Sequence, residues 1–109
     1  MVRFVKGDGV TLPFPFSDLS TVKRRPALVI SDPLGEDVIL CQITASRSDI
    51  YSVELKRIDF AIGSLTQDPS YARPNKLFTA ESRIIEKKIG TIIPGKYREV
   101  VEIIVTIIS

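Results

Sequence analysis

Two short stretches concentrate the side chains that can handle an anion. The first is Lys23-Arg24-Arg25-Pro26, a basic triplet that runs into a proline and then the apolar segment Ala27-Leu28-Val29-Ile30. The second is Gln42-Ile43-Thr44-Ala45-Ser46, where another apolar run ends in polar residues at alternate positions. On a strand, side chains alternate with a period of two, so Gln42, Thr44 and Ser46 share one face. Three polar groups at the end of an otherwise buried strand need partners or a ligand. If the two strand ends meet, Arg25 and Thr44 form a phosphate-handling site.

Exclusions narrow the chemistry. The chain has no histidine and one cysteine. Ser–His–Asp and Cys–His nucleophiles are therefore out, and so is a structural zinc site. Neither standard glycine-rich phosphate loop is present. Arginine, hydroxyl, amide and carboxylate remain, with no cofactor and no metal implied. Arginine is planar, always charged, and forks onto phosphate oxygens. Such a set suits electrostatic work on a phosphodiester. RNA fits so lean a site because it carries its own nucleophile, the 2′-hydroxyl, which attacks the adjacent phosphorus once aligned. On this reading Arg25 clamps the phosphate and assists the leaving group, while Thr44 orients or stabilises the scissile phosphate. The residues do not identify a general base. The plainer reading makes Arg25 a surface ion-pair residue and Thr44 an ordinary strand residue.

At 109 residues the chain is expected to form one domain spanning 1–109, large enough for a core without disulfides. Cys41 lies in an apolar run and reads as a buried, inert thiol. The N-terminus lacks a signal-peptide core, and no run approaches the ~20 apolar residues of a membrane span. A cytoplasmic protein with no membrane association is expected. A net charge of +2 argues only weakly for nucleic acid. The local clusters say more. Lys23-Arg24-Arg25 and Arg73/Lys76 can converge, whereas Lys56-Arg57 and Lys87-Lys88 read as solvated surface.

Several short strands must position these groups. Gly7-Asp8-Gly9 launches Val10-Thr11-Leu12. The alternate prolines Pro13 and Pro15 cannot sit in a central strand, because each lacks the ladder N–H. Phe14 to Val22 is therefore expected to be a loop with two aromatics. It is either pinned to the core or poised as a flap whose aromatics stack on bases. Pro26–Ile30 and Val38–Thr44 read as partner strands, the second central and covered on both faces. Ile50–Leu55 alternates as a half-exposed strand. Ile58–Leu65 reads as a short strand or turn, and Gln67–Ser70 as a loop. Tyr71–Thr79 reads as a strand, Thr79–Ser82 as a helical turn, and Lys88–Ile92 as a strand. Pro94-Gly95 punctuates. From Lys96, apolar residues at 97, 100, 101, 104, 105 and 108 fit an amphipathic helix, widened by Ile103 and Ile107, with Arg98 and Glu102 able to pair outside. Its surplus apolar face is expected to meet another chain. The fold class is mainly β, a small bent sheet or barrel with a C-terminal helix.

Taken in order, Gly7-Asp8, Pro13-Phe14-Pro15-Phe16-Ser17-Asp18, Lys23 through Ser31, Gln42-Ile43-Thr44, Arg73-Pro74-Asn75-Lys76-Leu77-Phe78-Thr79 and Lys88-Ile89-Gly90 resemble the MazF/PemK/Kid growth-inhibitor toxins over nearly the whole chain. The resemblance implies an SH3-like barrel, usually a homodimer, and a sequence-specific, ribosome-independent endoribonuclease that cuts single-stranded mRNA. It also implies a cognate antitoxin whose disordered tail occupies the RNA groove. The family's catalytic arginine and threonine match Arg25 and Thr44. Lys23, Arg24, Gln42, Ser46, Arg47, Arg73, Asn75 and Lys76 are then the expected RNA-binding set, with Lys23 and Arg24 on the backbone. Some members carry an acidic residue near position 75 and a histidine in the first loop. This chain has Asn75 and no histidine, so Arg73 and Asn75 are expected to bind rather than react. A non-catalytic protein of the same fold, either a gyrase-poisoning CcdB-type toxin or an RNA-binding module, is the alternative.

Overall fold

The computed structural model describes residues 4–15, 22–32 and 35–109. Seven strands form one antiparallel sheet: β1 (Asp8–Pro15), β2 (Val22–Val29), β3 (Asp37–Thr44), β4 (Val53–Leu55), β5 (Phe60–Gly63), β6 (Ser70–Glu81) and β7 (Lys87–Ile92), closed by one helix, α1 (Pro94–Ile108). The spatial order is β4-β6-β3-β2-β1-β7-β5. The sheet curls into a half-barrel, the small bent sheet that the pattern of short strands predicts.

The curl creates two cores, one on each face, and strand alternation sorts residues between them. Leu28, Cys41, Ile43 and Ala72 point to the helix side and pack with Val100 and Ile104. Val10, Leu12, Ala27, Val29, Leu40 and Ala80 point the other way and are covered by Phe4 and Ile85. β3 is central, as expected, with Leu40 and Cys41 wholly buried. Its cover is incomplete at one end, where Ile39 is 41% exposed.

Proline is reconciled with the sheet by leaving one flank unpaired. β1 is longer than expected and includes Pro13 and Pro15, both paired to β2 only. The pairing of β1 with β7 stops at Thr11, so the proline half is an edge. Pro26 likewise precedes the β2–β3 ladder, which begins at Ala27. Most of the expected Phe14–Val22 loop falls on residues 16–21, outside those described.

Other boundaries differ: β2 starts at Val22 and ends at Val29 instead of spanning Pro26–Ile30, because its pairing with β1 runs back to Val22. The strand expected from Ile50 shrinks to Val53–Leu55, because Asp49 and Ser52 bond the backbone of 48–51 into a turn. β6 runs on to Glu81, and the helical turn follows it at Ser82–Ile84. Helix α1 begins at Pro94, whose fixed φ and missing N–H suit the first turn, so Pro94-Gly95 opens the helix rather than preceding it. The helix buries Val100 and Ile104 and half-buries Tyr97, Val101, Ile103 and Ile107. Val105 (51%) and Ile108 (72%) of the expected stripe stay exposed. Arg98 and Glu102 form no ion pair; Lys96 pairs with Glu99 at 3.2 Å instead. No helix among the described residues is long and apolar enough to cross a membrane.

Candidate nucleic-acid interface

The β2–β3 ladder pairs Ala27 with Gln42, Leu28 with Cys41 and Val29 with Leu40. The same register, carried two residues beyond Ala27 and Gln42, sets Arg25 opposite Thr44. Directly opposed residues of an antiparallel pair share a face. That face also carries Leu12, the ladder partner of Arg25 on β1, and Tyr71, the partner of Thr44 on β6. A polar row thus crosses three strands at one end of the sheet: Arg25, then Thr44, then Tyr71.

Thr44 ends its strand half-buried, and its hydroxyl donates to the Ser46 carbonyl at 2.8 Å. Ser46 lies in a bend past the strand end, so it reaches this neighbourhood through its backbone rather than by alternation on β3. Arg25 is half-buried and makes interactions of its own. Lys23 is exposed, and Arg24 is ion-paired to Glu86 at 2.7 Å.

Beyond Thr44 the turn 46–52 is fastened to β6. Asp49 is the fastener, a residue outside the candidate set drawn from the sequence. Its Oδ1 accepts from the Tyr51 backbone at 2.9 Å. Its Oδ2 accepts from Arg73 Nη2 at 3.2 Å and from Asn75 Nδ2 at 3.0 Å. Partial burial acts to raise the Asp49 carboxyl. The hydrogen bonds from Asn75, from the Tyr51 backbone and from Arg73 outweigh it, and the group titrates below the ordinary aspartate range. Arg47 donates to the Ser52 carbonyl at 3.2 Å and lies over the Tyr71 ring, 5.3 Å from its centroid. Arg47, Arg73 and Asn75, far apart in sequence, are brought together by this one turn.

β6 is bulged beside it. Cys41 and Ile43, two apart on β3, face Leu77 and Ala72, five apart on β6. The extra residues loop Arg73–Lys76 away from the ladder. The Cys41 thiol donates to the Arg73 carbonyl at 3.0 Å, satisfying a group the bulge releases. Burial pushes that thiol up to about 12, against the smaller opposing effects of the Arg73 carbonyl contact and charge.

Two grooves reach the Arg25 end of the polar row, one lined by Arg25 and the other by its ladder partner Leu12. One, of about 740 Å³, is walled by Leu12, Phe14, Leu77 and Phe78, with Asp37, Gln42, Lys76 and Glu81 among its polar groups. Phe14 and Phe78 meet edge to face at 4.9 Å. The other, of about 570 Å³, takes in Arg24 and Arg25 with Ser70 and Lys87. The expected residues therefore divide: Arg24 and Arg25 border one groove, Gln42 and Lys76 the other, Arg73 and Asn75 hold Asp49, and Arg47 holds the Ser52 carbonyl of the same turn. Among the described residues no group of three or more Cys, Asp or Glu is arranged to hold a metal ion.

The fold has solved counterparts. The MazE–MazF complex of Deinococcus radiodurans aligns at a TM-score of 0.76 over 100% of this chain and 98% of the other, at 17% identity. An endoribonuclease in complex with its cognate antitoxin, from a mycobacterial species, gives 0.74 at 14% identity, covering 97% and 93%. The Mycobacterium tuberculosis toxin MazF-mt6 gives 0.70 at 18% identity, covering 91% and 93%. At such identities the likeness shows a shared fold. No curated protein matches the chain in sequence. The family profile of PemK-like, MazF-like toxins, however, matches residues 6–108, taking in both strand ends and the helix, and the chain belongs to that family of type II toxin–antitoxin toxins.

Proposed function

We propose that the protein is a sequence-specific, ribosome-independent endoribonuclease that cuts single-stranded mRNA, and that a cognate antitoxin restrains it. The observation that supports this reading is the β2–β3 register, whose last pair, Ala27–Gln42, lies two residues from both Arg25 and Thr44. The 2′-oxygen attacks the adjacent phosphorus, the bond to the 5′-oxygen breaks, and a 2′,3′-cyclic phosphate and a 5′-hydroxyl result. Arg25 neutralises charge growing on the phosphate oxygens, and the Thr44 hydroxyl orients the same group. Lys23, Arg24, Arg47, Arg73, Asn75 and Lys76 hold the strand, while Gln42 and Ser46 line its path. Two solved structures of this fold are complexes of a toxin with its antitoxin, and one is an endoribonuclease, which supports both assignments. The exposed Val105 and Ile108 on α1 support a homodimer. The work is done in the cytoplasm, where mRNA is.

The test is cleavage of a long mixed-sequence single-stranded RNA in EDTA by the protein and by Arg25→Ala, with the ends mapped. Discrete cuts with cyclic-phosphate ends that vanish in the variant support the reading. Folded protein that binds RNA but leaves it intact overturns it in favour of a non-catalytic binder.

A further inference from the structure

We propose that Glu54 is the general base of the cut, taking the proton from the 2′-hydroxyl, and that Tyr71 holds its carboxylate in place. The proposal rests on the ribonuclease reading above and deepens it, naming the group that activates the nucleophile.

The sheet carries the polar row one strand further. β6 pairs with β3 at Thr44–Tyr71 and with β4 at Glu54–Tyr71. Residues directly opposed across an antiparallel pair share a face. Thr44, Tyr71 and Glu54 therefore stand in line on the face away from α1, since their chain neighbours Ile43, Ala72, Val53 and Leu55 pack on the helix side. The Tyr71 hydroxyl donates to Glu54 Oε2 at 3.4 Å. Tyr71 is thus a positioning residue that orients the carboxylate along the row.

Commitment separates Glu54 from the other carboxylates that border the grooves and the turn among the described residues. Asp49 accepts three hydrogen bonds, and Glu86 is paired to Arg24 at 2.7 Å. Groups held so tightly make poor proton acceptors, because protonation forfeits those bonds. Asp37 and Glu81 oppose each other at the far end of β3 from Thr44. Glu54 is held loosely, by Tyr71 at 3.4 Å on one oxygen and by Lys56 Nζ at 3.6 Å from the other. Its side chain is 36% exposed, open to a substrate. The charged and titratable groups around it are Tyr71 from β6, Lys56 just past its own strand, and Arg47, which the 46–52 turn lays over the Tyr71 ring.

Reach fits the chemistry. Glu54 lies two strand spacings from Thr44, about 10 Å across the sheet. A phosphate bonded to the Thr44 hydroxyl sets its phosphorus about 4 Å away. In-line attack sets the 2′-oxygen about 3–3.5 Å beyond it. With the ribose toward β4, the 2′-hydroxyl falls within a hydrogen bond of the carboxylate. In the step, the 2′-hydroxyl proton passes to Glu54 as the 2′-oxygen bonds to phosphorus. The bond from phosphorus to the 5′-oxygen breaks, the leaving oxygen takes a proton from water, and Glu54 returns its own to water.

The experiment measures single-turnover cleavage of one defined RNA across pH by the protein and by Glu54→Gln, with melting curves to confirm the fold. Expected is a loss of about 10²–10⁴-fold at neutral pH. The acid limb goes with it: the unmodified protein slows as Glu54 is protonated, and the variant does not. A loss under tenfold, or an acid limb that survives in the variant, overturns the proposal. An RNA with a 5′-thio leaving group, which departs without a proton, separates base from acid. A loss that persists on it supports the base, and a variant restored to the unmodified rate overturns it. Tyr71→Phe keeps the ring and should lower kcat about tenfold with KM unchanged; an unchanged kcat overturns its part. Should Glu54→Gln fail to fold, the unmodified protein decides alone, and a rate that does not fall in acid while the fold persists overturns the proposal. A protein that cuts no RNA sinks the ribonuclease reading and this one together; a Glu54→Gln variant that cuts as well as the unmodified protein sinks this one only.

Discussion

Arg25 and Thr44 should act unequally and as a coupled pair. The geometry of Thr44 sets the difference. Its hydroxyl proton is committed to the Ser46 carbonyl at 2.8 Å, so donation to a phosphate means giving up that bond. A hydrogen bond to a charged group contributes about 1.5–3 kcal/mol and a neutral one about 0.5–1.5. The net gain from Thr44 is then about 1–2 kcal/mol, or roughly tenfold in rate. Arg25 brings a full positive charge to the same phosphate, and removing a preformed transition-state donor costs about 10²–10³-fold. Arg25→Ala, Thr44→Val and the double variant would be compared in single-turnover cleavage of one defined RNA, with melting curves confirming the fold. Groups acting on one phosphate are not additive, so the double variant should lose less than the product of the single losses. Strict additivity would refute a shared phosphate. A Thr44→Val loss equal to that of Arg25→Ala would refute the hydrogen-bond exchange, and would give the hydroxyl a larger chemical part.

Further outcomes follow from single contacts. Lys23→Ala, at an exposed site, should weaken RNA binding across sequences and lower the salt slope by about one, read from binding isotherms at several salt concentrations. Asp49→Asn should cost stability at neutral pH. Because the native Asp49 carboxyl titrates low, its contribution is fully present above the ordinary aspartate value of 3.8 and is lost as pH falls through the lowered native value. The stability gap between wild type and variant should close in acid, as unfolding curves across pH would reveal; a gap that widens in acid contradicts the clamp. Cys41, buried and with its thiol pushed up to about 12, should resist alkylation in the native protein at pH 8 and react once unfolded. Val105→Asp and Ile108→Asp should leave the fold intact, since both side chains are largely exposed, and shift a dimer toward monomer in sedimentation at micromolar concentration.

The unbroken apolar runs Ala27–Ile30 and Val38–Cys41 pointed, from sequence alone, to two buried strands with β3 central, and the period of two put Gln42 and Thr44 on one face. The 3.6-residue period settled α1, and the absence of histidine removed whole classes of chemistry. Those are local properties, written in each segment's own order. The opposition of Arg25 and Thr44 is a property of register, which depends on how two strands slide against each other. The placement of Pro13, Pro15 and Pro26 depended on where neighbouring strands stop, a fact no proline carries in itself. The grouping of Arg73 and Asn75 on Asp49 joins positions up to 26 residues apart. Asp49 carries no mark in sequence, and only the bulge in β6 gives its carboxylate Arg73 and Asn75 to hold. The line of Thr44, Tyr71 and Glu54 was least legible of all. Each residue's own strand shows which face it takes, but only the packed sheet decides what stands beside it.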